Sequence, residues 1–67
     1  MTVIALRTGA AFLAHQYWVE GGRMRCVLSG GAEQIFPLEE IDLANTVKIN
    51  QQRNLKFVLQ SRDVMEQ

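Results

Sequence analysis

A single hairpin signal, between residues 11 and 28, constrains this chain more than any other feature. The first arm, residues 11–20, carries three aromatic side chains and ends at the dipeptide Gly21-Gly22. The second arm, residues 23–28, alternates arginine with apolar side chains, which is the pattern of a strand buried on one face. Two glycines between such runs favour a tight turn. The pattern therefore predicts two paired antiparallel strands.

Regular alternation would make the first arm of this hairpin apolar on both faces. One face would carry Ala11, Leu13, His15, Tyr17 and Val19, and the other Phe12, Ala14, Gln16 and Trp18. Such a strand is buried on both sides, bent between two layers, or part of an interface. A helix competes over residues 10–15, because alanine and leucine favour helices. We expect a strand, since Tyr17-Trp-Val19 favours extended backbone.

Glycine and proline divide the rest of the N-terminal part into short extended segments. Thr8-Gly9 ends a first apolar strand, and Ser29-Gly-Gly31 precedes a fourth strand that Pro37 terminates. The next five residues read as one helical or 3₁₀ turn, because a leading proline and acidic side chains suit a helix start. Ile41 and Leu43 would return the chain as a fifth strand. Five short strands at this spacing predict a small, mainly-β, SH3-like or Sm-like barrel.

The C-terminal third differs in composition from the rest. We place the barrel core in residues 1–44 and a C-terminal extension in residues 45–67. The extension contains no glycine or proline, which permits a helix, yet residues 47–49 and 55–59 alternate as strands do. It could complete the barrel, exchange between subunits or form a helix. The pattern favours extended backbone over residues 55–59, a loop before them and a frayed end over residues 62–67.

A chain of 67 residues supports one domain with a marginal core, so the source of its stability matters. Cys26 is the sole cysteine, which excludes an intrachain disulfide and suggests a reducing, cytoplasmic setting. His15 is the sole histidine, so we expect no metal site and no cofactor. Residues 1–6 are apolar but too few for a signal peptide or a membrane span. Because 48% of so short a chain is hydrophobic, we expect a homo-oligomer with no membrane partner.

The charge of the chain argues against nucleic acid as its main partner. Seven basic and seven acidic side chains give a formal net charge of zero. The charges are segregated, since residues 33–44 are acidic and residues 45–62 are basic. Affinity for nucleic acid comes mainly from neutralised phosphates, so RNA binding would require basic side chains converging on one face. We expect instead that acidic and basic segments screen each other, within the chain or between subunits.

Several of these segments together resemble a group of small bacterial SH3-like modules. The resemblance is carried by Leu6-Arg-Thr-Gly9, Tyr17-Trp-Val-Glu-Gly-Gly22, Gly30-Gly31 and Pro37-Leu-Glu-Glu-Ile41, and it covers about residues 3–43. It implies a barrel fold and carries no activity. A second similarity, through the glycine-punctuated strands and Glu39-Glu40-Ile41, is to Sm-like RNA-binding regulators, and it implies RNA binding as an alternative function.

The candidate contact surface combines aromatic and arginine side chains. Tyr17 and Trp18 are adjacent on one strand, so their rings point to opposite faces, one toward the core and one outward unless the strand is covered on both sides. An exposed aromatic ring on such a barrel is a platform for extended peptides or unstacked bases, and Phe36 could join it across the sheet. Arg23 and Arg25 share one strand face and suit carboxylate or phosphate groups. These five residues form the predicted binding site.

No pattern of side chains predicts catalysis. Glu39, Glu40 and Asp42 are better explained as residues that begin a helical turn than as an acid–base pair. A pair of Cys26 and His15 would need a particular strand register, and the glycine pairs do not open a helix with the lysine of a phosphate loop. The sequence therefore predicts a non-catalytic binding or structural module that contacts a protein partner or itself, and not an enzyme.

Overall fold

The computed structural model describes residues 1–63 as an antiparallel sheet followed by one helix. Four strands, β1 (Thr2–Ala5), β2 (Ala11–Glu20), β3 (Arg23–Leu28) and β4 (Glu33–Pro37), lie side by side in sequence order. A 3₁₀ turn at Leu38–Glu40 and helix α1 at Leu43–Gln52 follow them. The mainly-β class, the hairpin of β2 and β3 and the 3₁₀ turn after Pro37 are thereby confirmed.

The turn of the central hairpin requires glycine at both positions. Glu20 is paired with Arg23, so Gly21 and Gly22 form a two-residue turn. Their φ angles are +60° and +72°, in the left-handed region that other residues rarely adopt. A turn with positive φ at both central residues matches the right-handed twist of the paired strands. The backbone, rather than lack of space, imposes glycine here, because an added Cβ would meet no neighbouring atom within 4 Å.

The sheet does not close into a barrel, and the predicted fifth strand is reduced to one bridge. Ile41 makes a single antiparallel bridge with Leu6. The backbone N–H of Asp42 then donates to the Ala5 carbonyl at 2.9 Å. The Asp42 side chain accepts from the Asn45 N–H at 3.1 Å and so caps the start of α1. The chain therefore turns into a helix at the point where a fifth strand would have continued.

A β-bulge interrupts the alternation of β2. Ala14 lies opposite Leu28, and Gln16 lies opposite Val27, so one residue of β2, His15, has no counterpart in β3. An extra residue of this kind bends its strand and shifts every later side chain by one position. The bulge agrees with a bent strand, which is one of the three alternatives that the sequence leaves open for this arm.

The shift caused by the bulge gives β2 one core-facing side instead of two apolar sides. Phe12 and Ala14 face the core before the bulge, and Tyr17 and Val19 face it afterwards. Tyr17 lies opposite the buried Cys26, which confirms its orientation. The expectation of regular alternation along this strand is therefore wrong, and its apparent two-sided apolar pattern comes from the register change.

The hydrophobic core lies against one side of the sheet, which we call the inner face. Its buried cluster consists of Ile4, Ala14, Met24, Cys26 and Ile41. Side chains that follow the sheet in sequence, Leu38, Leu43 and Phe57, pack against this cluster. The opposite side of the sheet, which we call the outer face, is left without a covering layer by the residues that the structure describes.

The helix occupies a stretch that the sequence pattern divided between a strand and a loop. Residues 47–49, whose alternation resembles that of a strand, lie inside α1, so the helix is the alternative realised in this part of the extension. Residues 50–52 of the predicted loop also belong to α1. The helix ends at Gln52, and Asn54 follows it with a φ of +60°. The N–H of Leu55 donates to the Asn50 carbonyl at 2.9 Å, which closes a helix-ending motif of the Schellman type.

The C-terminal segment after the helix follows β2 without becoming a regular strand. Residues 55–59 form no strand, but the segment makes one parallel bridge between Ser61 and Val19. The Val19 N–H donates to the Gln60 carbonyl, and the Arg62 N–H donates to the Val19 carbonyl, both at 2.8 Å. The segment thus pairs with β2 where β1 no longer does. Most of the predicted frayed end, residues 64–67, lies outside the described residues.

Side chains of α1 cover the edge of β1 that does not pair with β2. The carboxamide of Asn50 accepts from the Val3 N–H at 2.9 Å and donates to the Val3 carbonyl at 2.8 Å. The hydroxyl of Thr46 accepts from the Ala5 N–H at 3.0 Å. Both side chains are fully buried, although both are polar. Helix side chains therefore take the place of a neighbouring strand along this edge.

Candidate binding surface

The structure separates the five predicted site residues onto two faces of the sheet. Tyr17 and Phe36 lie on the inner face, where both pack against the core. Trp18, Arg25 and Arg23 lie on the outer face, since Trp18 is paired with Arg25 and Arg23 is two positions from it. The prediction that one aromatic of the Tyr17-Trp18 pair faces the core and the other faces outward is confirmed. The five residues do not form one continuous platform.

The two inner aromatic rings are occupied by partners within the chain. Phe36 stacks on Phe12 with ring centroids 5.0 Å apart, and Tyr17 stacks on Phe57 with centroids 4.9 Å apart. The hydroxyl oxygen of Tyr17 also accepts a hydrogen bond from the Val58 N–H at 3.0 Å. Because these contacts fix both rings against their own chain, their surroundings indicate a packing role.

Trp18 is held on the outer face between an acid and a base. Its indole Nε1–H donates to Glu20 Oε1 at 3.1 Å. The guanidinium carbon of Arg62, from the C-terminal segment, lies 4.1 Å from the ring centroid, which is a cation–π contact. The ring is half-buried as a result. A partner that meets this surface would meet the indole together with the guanidinium group that covers it.

Arg25 lies at the centre of a charged cluster on the outer face. Its guanidinium is 3.5 Å from Glu20 Oε1 and 3.4 Å from Glu33 Oε1. The Arg25 side chain keeps 38% of its exposure, so solvent screens both pairs and each contributes little to stability. Arg23 is exposed and, among residues 1–63, is not within ion-pair distance of any carboxylate. Arg23 is therefore the arginine of this face that is available to an acidic group.

The register places three of these outer side chains in a row across the strands. Trp18 of β2 is paired with Arg25 of β3, and Arg25 is paired with Ile35 of β4. Ile35 is 46% exposed, and Leu13 on the same face is exposed to the same extent. We call Trp18, Arg25 and Ile35 the outer row. It sets an aromatic ring, a guanidinium group and an aliphatic chain beside one another, with Glu20 and Glu33 around them.

Sequence reasoning missed Ile35, Leu13 and Arg62 as members of this surface. The alternation of β4 could have placed Ile35 on the face of Arg25, because cross-strand partners share a face. Leu13 was assigned to the face of Tyr17, and the bulge separates them. Arg62 had no signal, since only the folded C-terminal segment brings it to Trp18.

An open cleft lies between β2 and the C-terminal segment. It has a volume of about 270 Å³ and is lined by Gln16, Tyr17, Val58, Gln60 and Arg62. Three of the five lining side chains are neutral amide or phenol groups, which can donate and accept hydrogen bonds. The lining of the cleft includes Tyr17 of the inner face and Arg62, and it contains no cysteine or histidine.

The structure separates the one potential thiol–imidazole pair. Cys26 is buried on the inner face, whereas His15 is exposed at the bulge. Burial raises the pKa of the Cys26 thiol from 9.0 to about 11, which keeps it protonated and unreactive near neutral pH. Within residues 1–63, no group of three or more histidine, cysteine, aspartate or glutamate side chains is placed to hold a metal ion.

Comparison with known proteins identifies no relative of this chain. The chain matches no protein-family model, and no similar protein was found among curated sequences or solved structures. Among the described residues, no helix has both the length and the apolar character that crossing a membrane requires.

Proposed function

We propose that this chain is a small, non-catalytic binding or structural module that uses the outer face of its sheet for protein–protein contact or self-association. The observation that supports this most directly is the outer row. Trp18 and Arg25 are of the residue types that supply much of the binding energy at protein interfaces, and Ile35 beside them is an exposed apolar side chain. They lie side by side on the outer face, where Arg62 of the C-terminal segment lies over the Trp18 ring and Ile35 is exposed.

The arrangement of charge around the outer row also suits a protein partner. Arg25 is already neutralised by Glu20 and Glu33, so the centre of the face carries no net positive field. A protein interface commonly surrounds apolar anchors with paired or exposed polar groups. Phosphate binding would instead favour free basic side chains at the centre, and here the central arginine is paired.

The relation of this fold to SH3-like barrels is also part of the proposal. We infer that the module is related in architecture to SH3-like barrels, with an open sheet in which the single Ile41 bridge takes the position of the fifth strand. A long, bulged second strand and the 3₁₀ turn before Ile41 support this reading. The RNA-binding alternative of Sm-like character is separated from protein binding by salt, because it requires affinity that falls steeply as salt rises.

The test uses three purified chains, the wild type, Trp18→Ala and Val47→Ala. Val47 is an exposed apolar residue of α1, away from the sheet, so its replacement is the matched control. Solution mass and capture from a displayed peptide library are measured for each. We expect association or peptide capture by the wild type and the control, with loss of about tenfold or more in affinity for Trp18→Ala. The proposal fails if neither measurement distinguishes Trp18→Ala from Val47→Ala.

A further inference from the structure

We propose that the outer edge of β4 pairs with β4 of a second copy of this chain, antiparallel and about a two-fold axis at Ile35. This inference rests on the proposed function, because it names a second copy as the partner of the module. It would join two four-stranded sheets into one continuous sheet.

The outer edge of β4 is unpaired in the described part of the chain, whereas the free edges of β1 and β2 bond to other segments of the same chain. Side chains of Thr46 and Asn50 bind the edge of β1, and the backbone around Ser61 pairs with β2 at Val19. β4 is the last strand in the sheet order, and no described residue bonds to its outer side. An uncovered edge is a ready template for another strand.

The hydrogen-bond pattern shows which peptide groups of β4 point outward. The Leu28 N–H donates to the Ala32 carbonyl at 2.7 Å, and the Leu38 N–H donates to the Gly22 carbonyl at 3.1 Å. Antiparallel ladders alternate, so the even-numbered residues of β4 bond to β3. The N–H and C=O groups of Glu33 and Ile35 therefore point away from the sheet and are aligned to pair with another strand.

Two-fold pairing at Ile35 fits both the donors and the apolar surface. The two copies of Ile35 would exchange N–H···O=C bonds, and the Glu33 N–H of one copy would donate to the Pro37 carbonyl of the other. Pro37 has no N–H to offer and stands at the end of the strand, so the Pro37 of each copy leaves one opposite Glu33 carbonyl without a donor and limits the ladder to β4. The exposed Ile35 side chains would pack against each other on the outer face.

Charge complementarity favours this register. Arg23 is paired with Pro37 across the β3–β4 ladder, and Pro37 would lie opposite Glu33 of the second copy. Two strand spacings then separate Arg23 from that glutamate, about 10 Å between Cα atoms, a span that an extended arginine and glutamate can bridge over the short proline ring. Arg23 has no carboxylate within ion-pair distance in the described part of its own chain, whereas Glu33 lies 3.4 Å from Arg25, so Glu33 would lie between Arg25 of its own chain and Arg23 of the second copy.

The first experiment measures mass by sedimentation equilibrium from about 10 µM to about 500 µM, because dimer formation depends on concentration. Ile35→Lys places two like charges on the axis, and we expect it to weaken dimerisation by about tenfold or more. Leu13→Lys is the matched control, since Leu13 has the same 46% exposure and lies on the same face away from β4. Circular dichroism establishes that both variants remain folded.

The second experiment tests the register by charge exchange. Arg23→Glu and Glu33→Arg are each expected to weaken the dimer, because each sets like charges beside each other across the axis. The double variant restores the opposite pairing and is expected to regain most of the wild-type affinity. A double variant that dimerises no better than the single variants would overturn the proposed register.

The outcomes separate this inference from the proposed function. A wild-type chain that stays monomeric throughout the range, or a dimer that Leu13→Lys weakens as much as Ile35→Lys does, overturns pairing through β4. If the wild-type chain still captures peptides and Trp18→Ala does not, the proposed binding function is retained and its partner is a different protein. If the wild-type chain neither dimerises nor captures peptides through Trp18, both the proposed function and the pairing are overturned.

Discussion

The carboxamide of Asn50 is paired with the backbone of Val3 as a neighbouring strand would be. Its oxygen accepts from the Val3 N–H at 2.9 Å, and its nitrogen donates to the Val3 carbonyl at 2.8 Å and to the Thr46 carbonyl at 2.7 Å. One side chain thus satisfies both polar groups of a residue in an edge strand. This contact joins residues 47 positions apart and anchors the helix to the sheet.

Replacement of Asn50 by leucine tests the importance of this pairing. The leucine cannot bond to Val3, so a donor and an acceptor at a partly buried edge lose their partners. We expect a loss of about 2–3 kcal/mol in the free energy of unfolding, measured with urea. Gln51→Leu, at an exposed neighbouring position of the same helix, is expected to change stability by about 0.5 kcal/mol or less. Equal losses in the two variants would show that the pairing contributes nothing specific.

Deletion of His15 tests the bulge. Without this residue, Ala14 would be followed by Gln16 and Tyr17 in regular alternation, and every core-facing side chain would keep its face. We expect a chain that still unfolds cooperatively, with a loss of about 1–2 kcal/mol. Deletion of Leu13 reverses the faces of the preceding residues, including Phe12, and is expected to cost considerably more stability. Thermal unfolding of the two deletion variants distinguishes them, and the reverse ranking would refute the assigned register.

Replacement of Phe57 by alanine tests how the C-terminal segment is held. The change removes the ring that stacks on Tyr17 and leaves the hydrogen bonds at Val19 as the principal attachment. We expect trypsin to cleave after Lys56 about tenfold faster, because the segment opens more often than the sheet. Val58→Ala, at a side chain that is 42% exposed, is the control and should change the rate little. Identical cleavage rates would indicate that stacking does not retain the segment.

The pH dependence of stability tests the burial of Cys26. Its pKa is raised from 9.0 to about 11 in the folded chain, so the folded state keeps this proton at pH values where the unfolded state loses it. The resulting stabilisation is fully present below pH 9 and is lost as pH rises toward 11, by about 2–3 kcal/mol in total. Urea unfolding at about pH 8 and about pH 10.5 measures the loss. Cys26→Ala should lose less stability over that range, and an equal loss would contradict the assignment.

Local signals predicted the four strands between residues 2 and 37 and the turns between them. Gly21-Gly22 and Pro37 mark real breaks, because backbone conformation and the missing N–H of proline act within a few residues. The alternation of residues 23–28 is also real, with Met24 and Cys26 buried. These features depend on neighbours in sequence, so a sequence pattern can reveal them.

The candidate site was predicted only in part, for a reason that lies in β2. The separation of Tyr17 and Trp18 onto opposite faces follows from adjacency alone. The prediction that Tyr17 and Phe36 share a surface with Arg23 and Arg25 is wrong. Cross-strand register and the bulge at His15 decide which side chains share a face. The helix stayed one of three alternatives although Asp42 offers a capping side chain, since β-branched residues such as Val47 and Ile49 also suit a strand.

By itself, the sequence determined that this chain forms a β-hairpin with glycine turns, because positive φ and strand alternation are local properties. The tertiary structure alone decided that the segment after Asp42 is a helix and that the outer face carries Trp18, Arg25 and Ile35. The reason is that Thr46 and Asn50 are unremarkable polar residues until an edge strand offers them unpaired peptide groups. That pairing forms only when residues distant in sequence come together.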